Sequence, residues 1–308
     1  MTILVTGGAG YIGSHTAVAL AESGHKVVLL DNFSNSNMNA VENIRSLINS
    51  EVVFYKVDIR DRDALALVFQ AQIDLASPIS SVIHFAALKS VGESVAKPEL
   101  YHYNNTGGTK TLLEVMSEFS VRKIVFSSSC TVYGEPDVVP VDESSPFKKA
   151  ESPYGQTKQD CEGLITEQCS VFNDFSSALL RYFNPIGAHP SAIIGESPSG
   201  VPDNLIPFIC QSVAGLRDPL TVFGTDYPTP DGSCVRDYLH VMDLADAHVL
   251  ALENLTSGRC RSFNLGTGTG TSVLEVISSF KEATGIDVPH SLGGRREGDI
   301  TAIWADSS

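Results

Sequence analysis

Two side chains of complementary chemistry, a phenol and an ammonium, stand four residues apart in the segment YGQTK, from Tyr154 to Lys158. On a helix this spacing places both on one face, so the ammonium lies close to the phenol. At ~6 Å and an effective dielectric of ~20 the attraction is roughly 2.8 kcal/mol, or about two pKa units off a phenol that otherwise titrates near ~10. Such a phenol can act as a general base near neutral pH. By spacing alone, a packed tyrosine beside a solvated lysine is the more frequent arrangement, so the surroundings of the pair must decide.

The chain just before this pair favours the catalytic interpretation. An apolar run at residues 123–126 ends in three serines, Ser127 to Ser129. The run predicts a strand whose carboxyl end lies at the edge of the sheet where open α/β folds bind their ligands. A serine hydroxyl at that edge can hydrogen-bond the same substrate oxygen that the tyrosine deprotonates.

A second chemical signal is the glycine-rich stretch GGAGYIG at residues 7–13, which follows an apolar run and opens an amphipathic stretch. The turn requires a positive φ or the absence of a Cβ at Gly7, Gly10 lets the backbone approach a pyrophosphate, and Gly13 lets the helix pack on the strand. The pyrophosphate then lies on the positive N-terminus of the helix. A glycine triplet alone is weak evidence for a nucleotide site.

The acid after the next apolar run strengthens the nucleotide interpretation. Residues 27–30 are apolar and end in Asp31, roughly 20 residues past the glycines, where a carboxylate can accept both ribose hydroxyls of NAD. The same carboxylate repels the 2′-phosphate of NADP. The expected cofactor is therefore NAD.

The elements that position these groups alternate along the chain. Short apolar runs at residues 3–5, 27–30, 52–55, 81–85, 123–126 and 178–182 are separated by helical stretches, a βαβ rhythm that predicts a parallel sheet. One stretch has a stripe at helical spacing that we expect to face the core; it consists of Leu112, Leu113, Val115, Met116 and Phe119. The predicted fold is α/β, a Rossmann-type doubly wound parallel sheet.

The texture of the sequence changes after about Asn184. Loops rich in glycine, proline and aspartate follow, with candidate strands at residues 220–223 and 262–265. We expect an NAD-binding Rossmann domain at residues 1–183 and a smaller C-terminal substrate-binding lobe at residues 184–308. Whether elements of the two interleave is left open.

Composition and charge limit the class of partner. The chain has 308 residues, of which 43% are hydrophobic, and this is enough for a large core. Its net charge of −15 makes nucleic acid or an anionic membrane surface an unexpected partner. No run approaches the ~20 apolar residues of a membrane span. The first residues lead straight into a predicted core strand without a charged leader. The sequence predicts a cytoplasmic protein.

The potential metal ligands are scattered. Six cysteines occur without CxxC pairs or clustered histidines, which predicts free thiols and neither disulfides nor zinc; they are Cys130, Cys161, Cys169, Cys210, Cys234 and Cys260. His240 and His248 lie on a predicted helix together with Asp243 and Asp246. We interpret these two histidines as capping and packing residues, and we expect no metal.

Nine short motifs, in this order and spacing, carry a family resemblance that covers essentially the whole chain: GGAGYIGSH, LDN, HFAALKSVGESV, FSSSCTVYG, SPYGQTK, LLRYFNPIGAHPS, VRDYLHVMDLADAH, NLGTGTGTSVLEV and RREGD. The chain resembles the extended short-chain dehydrogenase/reductase family, and within it the UDP-galactose 4-epimerases. The resemblance implies a homodimer that acts on a UDP-hexose by transient oxidation at carbon 4. The tyrosine takes the proton of the 4-hydroxyl, NAD takes the hydride, and the hydride returns to the other face of the turned 4-keto sugar.

The resemblance also implies roles for individual residues. The catalytic set is Tyr154, Lys158, Ser129 and Thr131. The cofactor set comprises, besides Ser129, Tyr154 and Lys158, the residues Gly7, Gly10, Tyr11, Ile12, Gly13, Asp31, Asn32, Asp58, Ile59, Phe85, Ala86, Lys89, Asn104 and Tyr182. The substrate set comprises Lys89, Ser129, Tyr154, Phe183, Asn184, Asn204, Arg236, Arg296, Asp299 and Ile303.

Alternatives stay open for three of the substrate residues. Arg236 and Arg296 are suited to a bidentate clamp on a diphosphate, but each could equally form a surface ion pair, with Asp237 or Glu297. Ile303 falls where the family borders the substituent on carbon 2 of the hexose, and it could equally be a core side chain. Two departures from the family stand out, namely Asp203 where bacterial members have asparagine and an end at Ser308 where the family continues for a few helical turns.

Three other functions are compatible with parts of this pattern. A nucleotide-sugar 4,6-dehydratase shares the first step but needs an Asp-Glu pair after the strand, where this chain has Ser128-Ser129-Cys130-Thr131. An epimerase of N-acetylated UDP-hexosamines differs only in the sugar pocket. A non-enzymatic NAD-binding scaffold is disfavoured, because it would have no need of the Ser129, Tyr154 and Lys158 trio.

Overall fold

A seven-stranded sheet forms the centre of the molecule, which a computed structural model describes at residues 1–48, 52–198, 200–296 and 298–308. Every strand pair in this sheet is parallel, and the order across it is β11-β6-β5-β4-β1-β2-β3. The strands are β1 (Thr2–Thr6), β2 (Lys26–Asp31), β3 (Val53–Lys56), β4 (Ile79–His84), β5 (Lys123–Ser127), β6 (Ser176–Tyr182) and β11 (Cys260–Leu265). The order reverses between β1 and β4, which is where doubly wound sheets bind ligands.

Helices cover both faces of this sheet, which explains why its inner strands are mostly apolar and are buried on both sides. One buried cluster joins the sheet to α1 (Tyr11–Glu22), α2 (Met38–Ile48) and α9 (Val241–Glu253). The opposite cluster joins it to α3 (Arg62–Asp74), α6 (Gly107–Glu118) and α7 (Pro153–Val171). The predicted apolar stripe lies in α6 and the residue that ends it, packed into this second cluster. The predicted Rossmann-type fold is confirmed.

The remaining strands form small sheets, and the remaining helices either lie beside α7 or pack on these small sheets. They are α4 (Val91–Ala96), α5 (Pro98–Tyr101), β7 (Asn184–Ile186), α8 (Leu205–Val213), β8 (Leu220–Phe223), β9 (Val235–Arg236), β10 (Tyr238–His240), β12 (Thr271–Ser272), α10 (Val273–Thr284), β13 (His290–Gly293) and β14 (Ala302–Ile303). Helices α8 and α10 share a small core with β8. This small core is separate from the two buried clusters of the large sheet.

One strand lies elsewhere than the sequence texture suggested. The strand at 260–265, expected in the smaller lobe, forms the edge of the large sheet beside β6. Its side chains alternate between partly buried and exposed, so its pattern does not differ from that of a strand in a small surface sheet. The chain therefore returns to the large sheet after residue 184, and the division at that residue stays a prediction.

The two histidines have capping and packing roles, as predicted. All six cysteines are free thiols. The His240 ring accepts a hydrogen bond from the Met242 amide at the start of α9, and the buried His248 packs against the rings of Phe85 and Tyr182. Within the described residues, no group of three or more His, Cys, Asp or Glu side chains is placed to hold a metal ion, and no helix there has the length and apolar character to span a membrane.

Candidate active site

A cavity of about 1000 Å³ opens at the carboxyl ends of the strands, between the large sheet and the smaller elements. Its volume is at the upper end of the ~300–1,000 Å³ range of small-molecule sites. Its wall contains all of the predicted site residues except Asp58: Gly7, Gly10, Tyr11, Ile12, Gly13, Asp31, Asn32, Ile59, Phe85, Ala86, Lys89, Asn104, Ser129, Thr131, Tyr154, Lys158, Tyr182, Phe183, Asn184, Asn204, Arg236, Arg296, Asp299 and Ile303. Residues spread over the whole chain thus meet around one space.

The glycine turn has no room for side chains. Gly7 has a φ of 68°, and a Cβ there would lie 2.7 Å from the Ala86 nitrogen. A Cβ on Gly13 would lie 2.2 Å from the Gly7 oxygen, because α1 passes directly over the turn. Gly10, which precedes α1, offers no side-chain cap to the first amides of the helix. These amides are left for an anion, which is how a dinucleotide pyrophosphate is held.

Asp31 ends β2 with its carboxylate buried beside this turn. One oxygen accepts a hydrogen bond from the Ala9 amide at 3.1 Å, and the other accepts from the Phe33 amide at 2.9 Å and the Ser36 hydroxyl at 2.8 Å. These bonds fix the carboxylate at the cavity wall, and a carboxylate has about four acceptor sites, so capacity for a further donor remains. The geometry fits the predicted contact with the ribose hydroxyls of a dinucleotide.

Asp58 stands back from the cavity wall. Its carboxylate pairs with the Arg60 guanidinium at 2.6 Å and accepts from the Asn32 amide at 3.0 Å. The hydrogen bonds from Arg60 hold the pKa of this carboxyl well below its usual range. Asp58 thereby orients Asn32, while the neighbouring Ile59 reaches the wall.

Helix α7 places the tyrosine and the lysine in its first two turns. The Ser152 hydroxyl caps the helix by accepting from the Gly155 amide at 3.1 Å, and Pro153 occupies the first turn, where it is well suited. The Lys158 ammonium donates to the Ser127 carbonyl at 2.6 Å and lies 5.8 Å from the centre of the Tyr154 ring. Tyr154 hydrogen-bonds Ser129. The serine strand end and the helix thus converge as the spacing indicated.

The predicted lowering of the tyrosine pKa by the lysine is wrong for this arrangement. Burial is the largest influence on Tyr154, and with the nearby Tyr182 it raises the pKa of the phenol above its usual value, against a smaller opposite effect of Ser129. Burial also lowers the pKa of Lys158 to about 8, and its proton is directed at Ser127. In this arrangement Lys158 alone therefore does not lower the pKa of Tyr154.

Two further features point to a ligand beside the tyrosine. The Thr131 hydroxyl oxygen is buried without a hydrogen-bond partner among the described residues, an arrangement that costs free energy unless a ligand satisfies it. Asn104 lies on a single π-helical turn, His102–Thr106, a distortion often found at functional sites. The adjacent Asn105 fixes that turn by donating to the Leu88 carbonyl at 2.9 Å.

The two arginines at the other end of the cavity are held differently. Arg236 donates to the Val235 carbonyl at 2.9 Å, while the buried Asp237 accepts from Thr267, Gly268 and Ala305. The suggested Arg236–Asp237 pair is thus not formed. Arg296 pairs with Asp299 at 2.8 Å; Glu297, its other suggested partner, lies outside the described residues.

Ile303 is a buried core residue that also belongs to the cavity wall. It is 1% exposed and packs with Phe183, Ile300 and Val132 in a small buried cluster. Its strand β14 pairs with β9, which sets Ile303 opposite Arg236. The same side chain reaches the cavity wall, so packing and a contact with a ligand are compatible.

Glu196 is a cavity residue that sequence reasoning missed. One of its carboxylate oxygens accepts from the Lys89 ammonium at 2.9 Å and from the Asn204 amide at 2.6 Å, and it thereby links two of the predicted substrate residues. Its loop is rich in proline, glycine and serine and has no periodicity. The only available signal was an acidic residue between the GAHPS motif and Asn204.

The comparisons with known proteins agree with this geometry. Residues 3–266 match the NAD dependent epimerase/dehydratase family, and the chain belongs to this family. The UDP-glucose 4-epimerase of Bacillus subtilis is 51% identical over 307 residues, which are 99% of this chain and 89% of that protein. The UDP-glucose 4-epimerase uge1 of Schizosaccharomyces pombe is 50% identical over 311 residues, 99% of this chain and 86% of that protein.

Solved structures are similar over the full length. A UDP-glucose 4-epimerase from Stenotrophomonas maltophila, with bound NAD and formylated UDP-arabinopyranose, has a TM-score of 0.93 at 48% identity and covers 100% of this chain and 90% of its own. The enzyme from Bifidobacterium longum, in complex with NAD+ and UDP, has a TM-score of 0.95 at 43% identity, with the same coverage.

Proposed function

We propose that this chain interconverts UDP-galactose and UDP-glucose, by NAD-dependent oxidation and re-reduction at carbon 4 of the hexose, in galactose metabolism. The observation that carries the proposal is the convergence of Ser129, Tyr154 and Lys158 on the same cavity as the glycine turn and Asp31. Relatives at about half identity over 99% of the chain are UDP-glucose 4-epimerases, and this supports the choice among the reactions of the family.

The residues present fit NAD. Its pyrophosphate belongs on the amides at the start of α1, where a Cβ on Gly7 or Gly13 would collide with backbone, and its adenosine ribose belongs on Asp31. When bound, NAD supplies a hydride acceptor that later returns the hydride. The positive charge of its oxidised ring also favours a phenolate at the buried Tyr154, which Lys158 alone does not.

The chain's own groups divide the remaining tasks. The Tyr154 phenolate takes the proton of the 4-hydroxyl and later gives it back, while the Ser129 hydroxyl holds the same oxygen. Lys158, tied to the Ser127 carbonyl, keeps a positive charge close to the ring of Tyr154. Arg236 and Arg296 hold the diphosphate. Strong contacts to the nucleotide and weak contacts to the hexose let the 4-keto sugar turn over between the two hydride transfers.

A direct test uses the purified full chain. Denaturation releases its bound cofactor for identification, and the native protein is then supplied with UDP-galactose alone. We expect NAD in the denatured supernatant, UDP-glucose as the product, and no accumulation of free NADH. Stoichiometric NADH would indicate a dehydrogenase, and a 4-keto-6-deoxy sugar would indicate a dehydratase; either result would reject the proposal.

Asp31→Ser tests the cofactor assignment. The loss of a carboxylate that accepts ribose hydroxyls should weaken NAD binding roughly 10- to 100-fold, since hydrogen bonds to charged groups contribute about 1.5–3 kcal/mol. The discrimination against NADP should narrow at the same time. The native chain, Asp31→Ser and Asp63→Ser are each titrated with NAD and with NADP. Asp63→Ser is the control, because it removes an equal charge at an exposed site. Unchanged NAD affinity in Asp31→Ser would contradict the assignment.

Ile303→Gly tests the size of the sugar pocket. Ile303 is stiff at χ1 and cannot swing aside, so we expect UDP-galactose and UDP-glucose as the main substrates and N-acetylated analogues as slower ones. Glycine should raise kcat/KM for UDP-N-acetylgalactosamine relative to UDP-galactose by roughly 10-fold or more, because one apolar clash is worth ~1–3 kcal/mol. The ratio does not depend on the folded fraction. Val141→Ala removes packing from the same cluster and should leave the ratio unchanged; an unchanged ratio in Ile303→Gly as well would place Ile303 away from the sugar.

We further propose a cytoplasmic homodimer, with an NAD-binding domain at residues 1–183 and a substrate-binding lobe at residues 184–308 that contributes β11 to the large sheet. Six free cysteines suit a reducing compartment.

Val95, Leu100 and Tyr103 are exposed on neighbouring turns next to α7 and provide apolar surface for a second copy. Light scattering of the purified chain tests the dimer.

A further inference from the structure

Two of the cysteines lie together on the side of the molecule away from the cavity. Cys169 is in the last turn of α7, and Cys260 is the first residue of β11. Ser177 of β6 brings them together, since it is the ladder partner of Cys260 and its hydroxyl lies 3.3 Å from the Cys169 sulfur. The Cys260 sulfur also contacts the Thr166 hydroxyl at 3.6 Å, one helical turn before Cys169 in α7. Both sulfurs therefore lie between the end of α7 and the start of β11.

The surroundings make the two sulfurs unequal. The neighbouring Cys169 thiol, with the hydroxyls of Ser177 and Thr166, lowers the pKa of Cys260 against the effect of its burial. The same interaction, together with burial, raises the pKa of Cys169 above its usual value. Cys260 is therefore the sulfur of the pair with the greater thiolate character. Thiolates are the nucleophiles in disulfide exchange.

The other cysteines lack this combination. Cys130, Cys161 and Cys234 are buried, and burial is the chief cause that raises the pKa values of Cys130 and Cys161. Cys210 is exposed on α8, and burial of part of its side chain raises its pKa. Cys169 and Cys260 are both half-buried, which leaves them reachable by a small oxidant while their partner groups stay ordered.

We propose that Cys169 and Cys260 form a dithiol site that low-molecular-weight disulfides oxidise to an intramolecular disulfide. The Cys260 thiolate attacks one sulfur of oxidised glutathione, and the S–S bond breaks to give a mixed disulfide and one glutathione thiolate. Cys169 then loses its proton and attacks the Cys260 sulfur, which expels the second glutathione. Starting from the Cys260 thiolate and the Cys169 thiol, the pair loses two electrons and one proton, and one oxidised glutathione becomes one glutathione thiol and one glutathione thiolate.

The disulfide would join distant parts of the chain. It closes a loop of roughly 90 residues and fastens the end of α7, the helix that carries Tyr154 and Lys158, to the edge strand β11. Because β11 is an edge strand and is paired on one side only, a covalent link to α7 would add a second attachment to it. We expect oxidation to raise the melting temperature by ~5 °C or more.

The test is treatment of the native full chain with oxidised glutathione, followed by alkylation, intact-mass measurement and peptide mapping. Linked peptides containing Cys169 and Cys260, in a species two hydrogens lighter, are the expected result, whereas Cys210 should keep a glutathione adduct. In Cys169→Ser a glutathione adduct should persist on Cys260. Cys210→Ser is the matched control and should form the internal disulfide as the native chain does.

Separate glutathione adducts on Cys169 and Cys260 in the native chain, or modification of Cys210 with neither of them altered, would overturn the proposal. The melting temperature supplies an independent readout in the same samples. The rise on oxidation should be absent in Cys260→Ser and present in Cys210→Ser. A rise that persists in Cys260→Ser would assign the stabilisation to another cysteine.

Discussion

Tyr154→Phe is expected to lower kcat on the order of 10²- to 10⁴-fold, the usual loss when a general acid-base group is removed. The phenylalanine ring keeps the packing of Tyr154, so the fold and the bound NAD should be retained. No phenolate oxygen is left to take the proton of the 4-hydroxyl. The Ser129 hydroxyl is too weak a base to replace it, and Lys158 is directed at the Ser127 carbonyl. The measurement is initial-rate epimerisation of UDP-galactose, together with NAD released on denaturation.

Tyr55→Phe is the matched control for this experiment. Tyr55 lies on the outer strand β3, its hydroxyl accepts from the Gln72 side chain at 3.0 Å, and it is not among the residues of the cavity wall. Its loss should cost a little stability and leave kcat within a factor of two or so of the native value. Turnover of Tyr154→Phe close to that of Tyr55→Phe would exclude Tyr154 as the base.

The second large effect is expected at Gly13. In Gly13→Ala the new Cβ would lie 2.2 Å from the Gly7 carbonyl oxygen. The oxygen is a backbone atom and the Cβ is bonded to the backbone, so the clash can be relieved only if α1 moves away from the turn. We expect a loss of about 3 kcal/mol in the free energy of unfolding and the loss of bound NAD, because the same shift opens the anion-binding amides.

The same glycine-to-alanine substitution at Gly163 is expected to stabilise the chain slightly, whereas at Gly13 it should destabilise it. Gly163 lies in the interior of α7, and a Cβ there meets nothing within 4 Å. Alanine is the better helix former by about 0.5–1 kcal/mol, so this variant should unfold at a slightly higher urea concentration than the native chain. Urea denaturation and NAD content measure both variants. A similar shift of the two midpoints would mean that the close approach at Gly13 is not a constraint.

The parts of the fold that local patterns encode were predictable. Apolar runs gave the strands β1 to β6 within a residue or two, since strands covered on both faces are apolar throughout. The Tyr154–Lys158 spacing and the glycine turn placed two halves of the predicted site at the same sheet edge, because the carboxyl ends of parallel strands meet there.

Other features depend on contacts that no local pattern contains. The placement of β11 beside β6 is a pairing between distant segments, and its partly exposed side chains resemble those of any surface strand. The pKa of Tyr154 depends on how deeply it is buried, which the spacing to Lys158 does not reveal. Glu196 was missed because its importance lies in two partners, Lys89 and Asn204, that come from other parts of the chain.

The return of the chain to the large sheet at β11 has a consequence for how the cleft can move. The backbone passes between the sheet and the elements above it after β6, after β10 and after β11, so the upper part is tethered at several points. A hinge about a single linker, the usual route to wide domain opening, is therefore not available to this topology. We expect the cleft to open and close by small, concerted movements. Such movements would let a nucleotide sugar exchange at the rim of the cleft, while the dinucleotide below it stays bound through many turnovers.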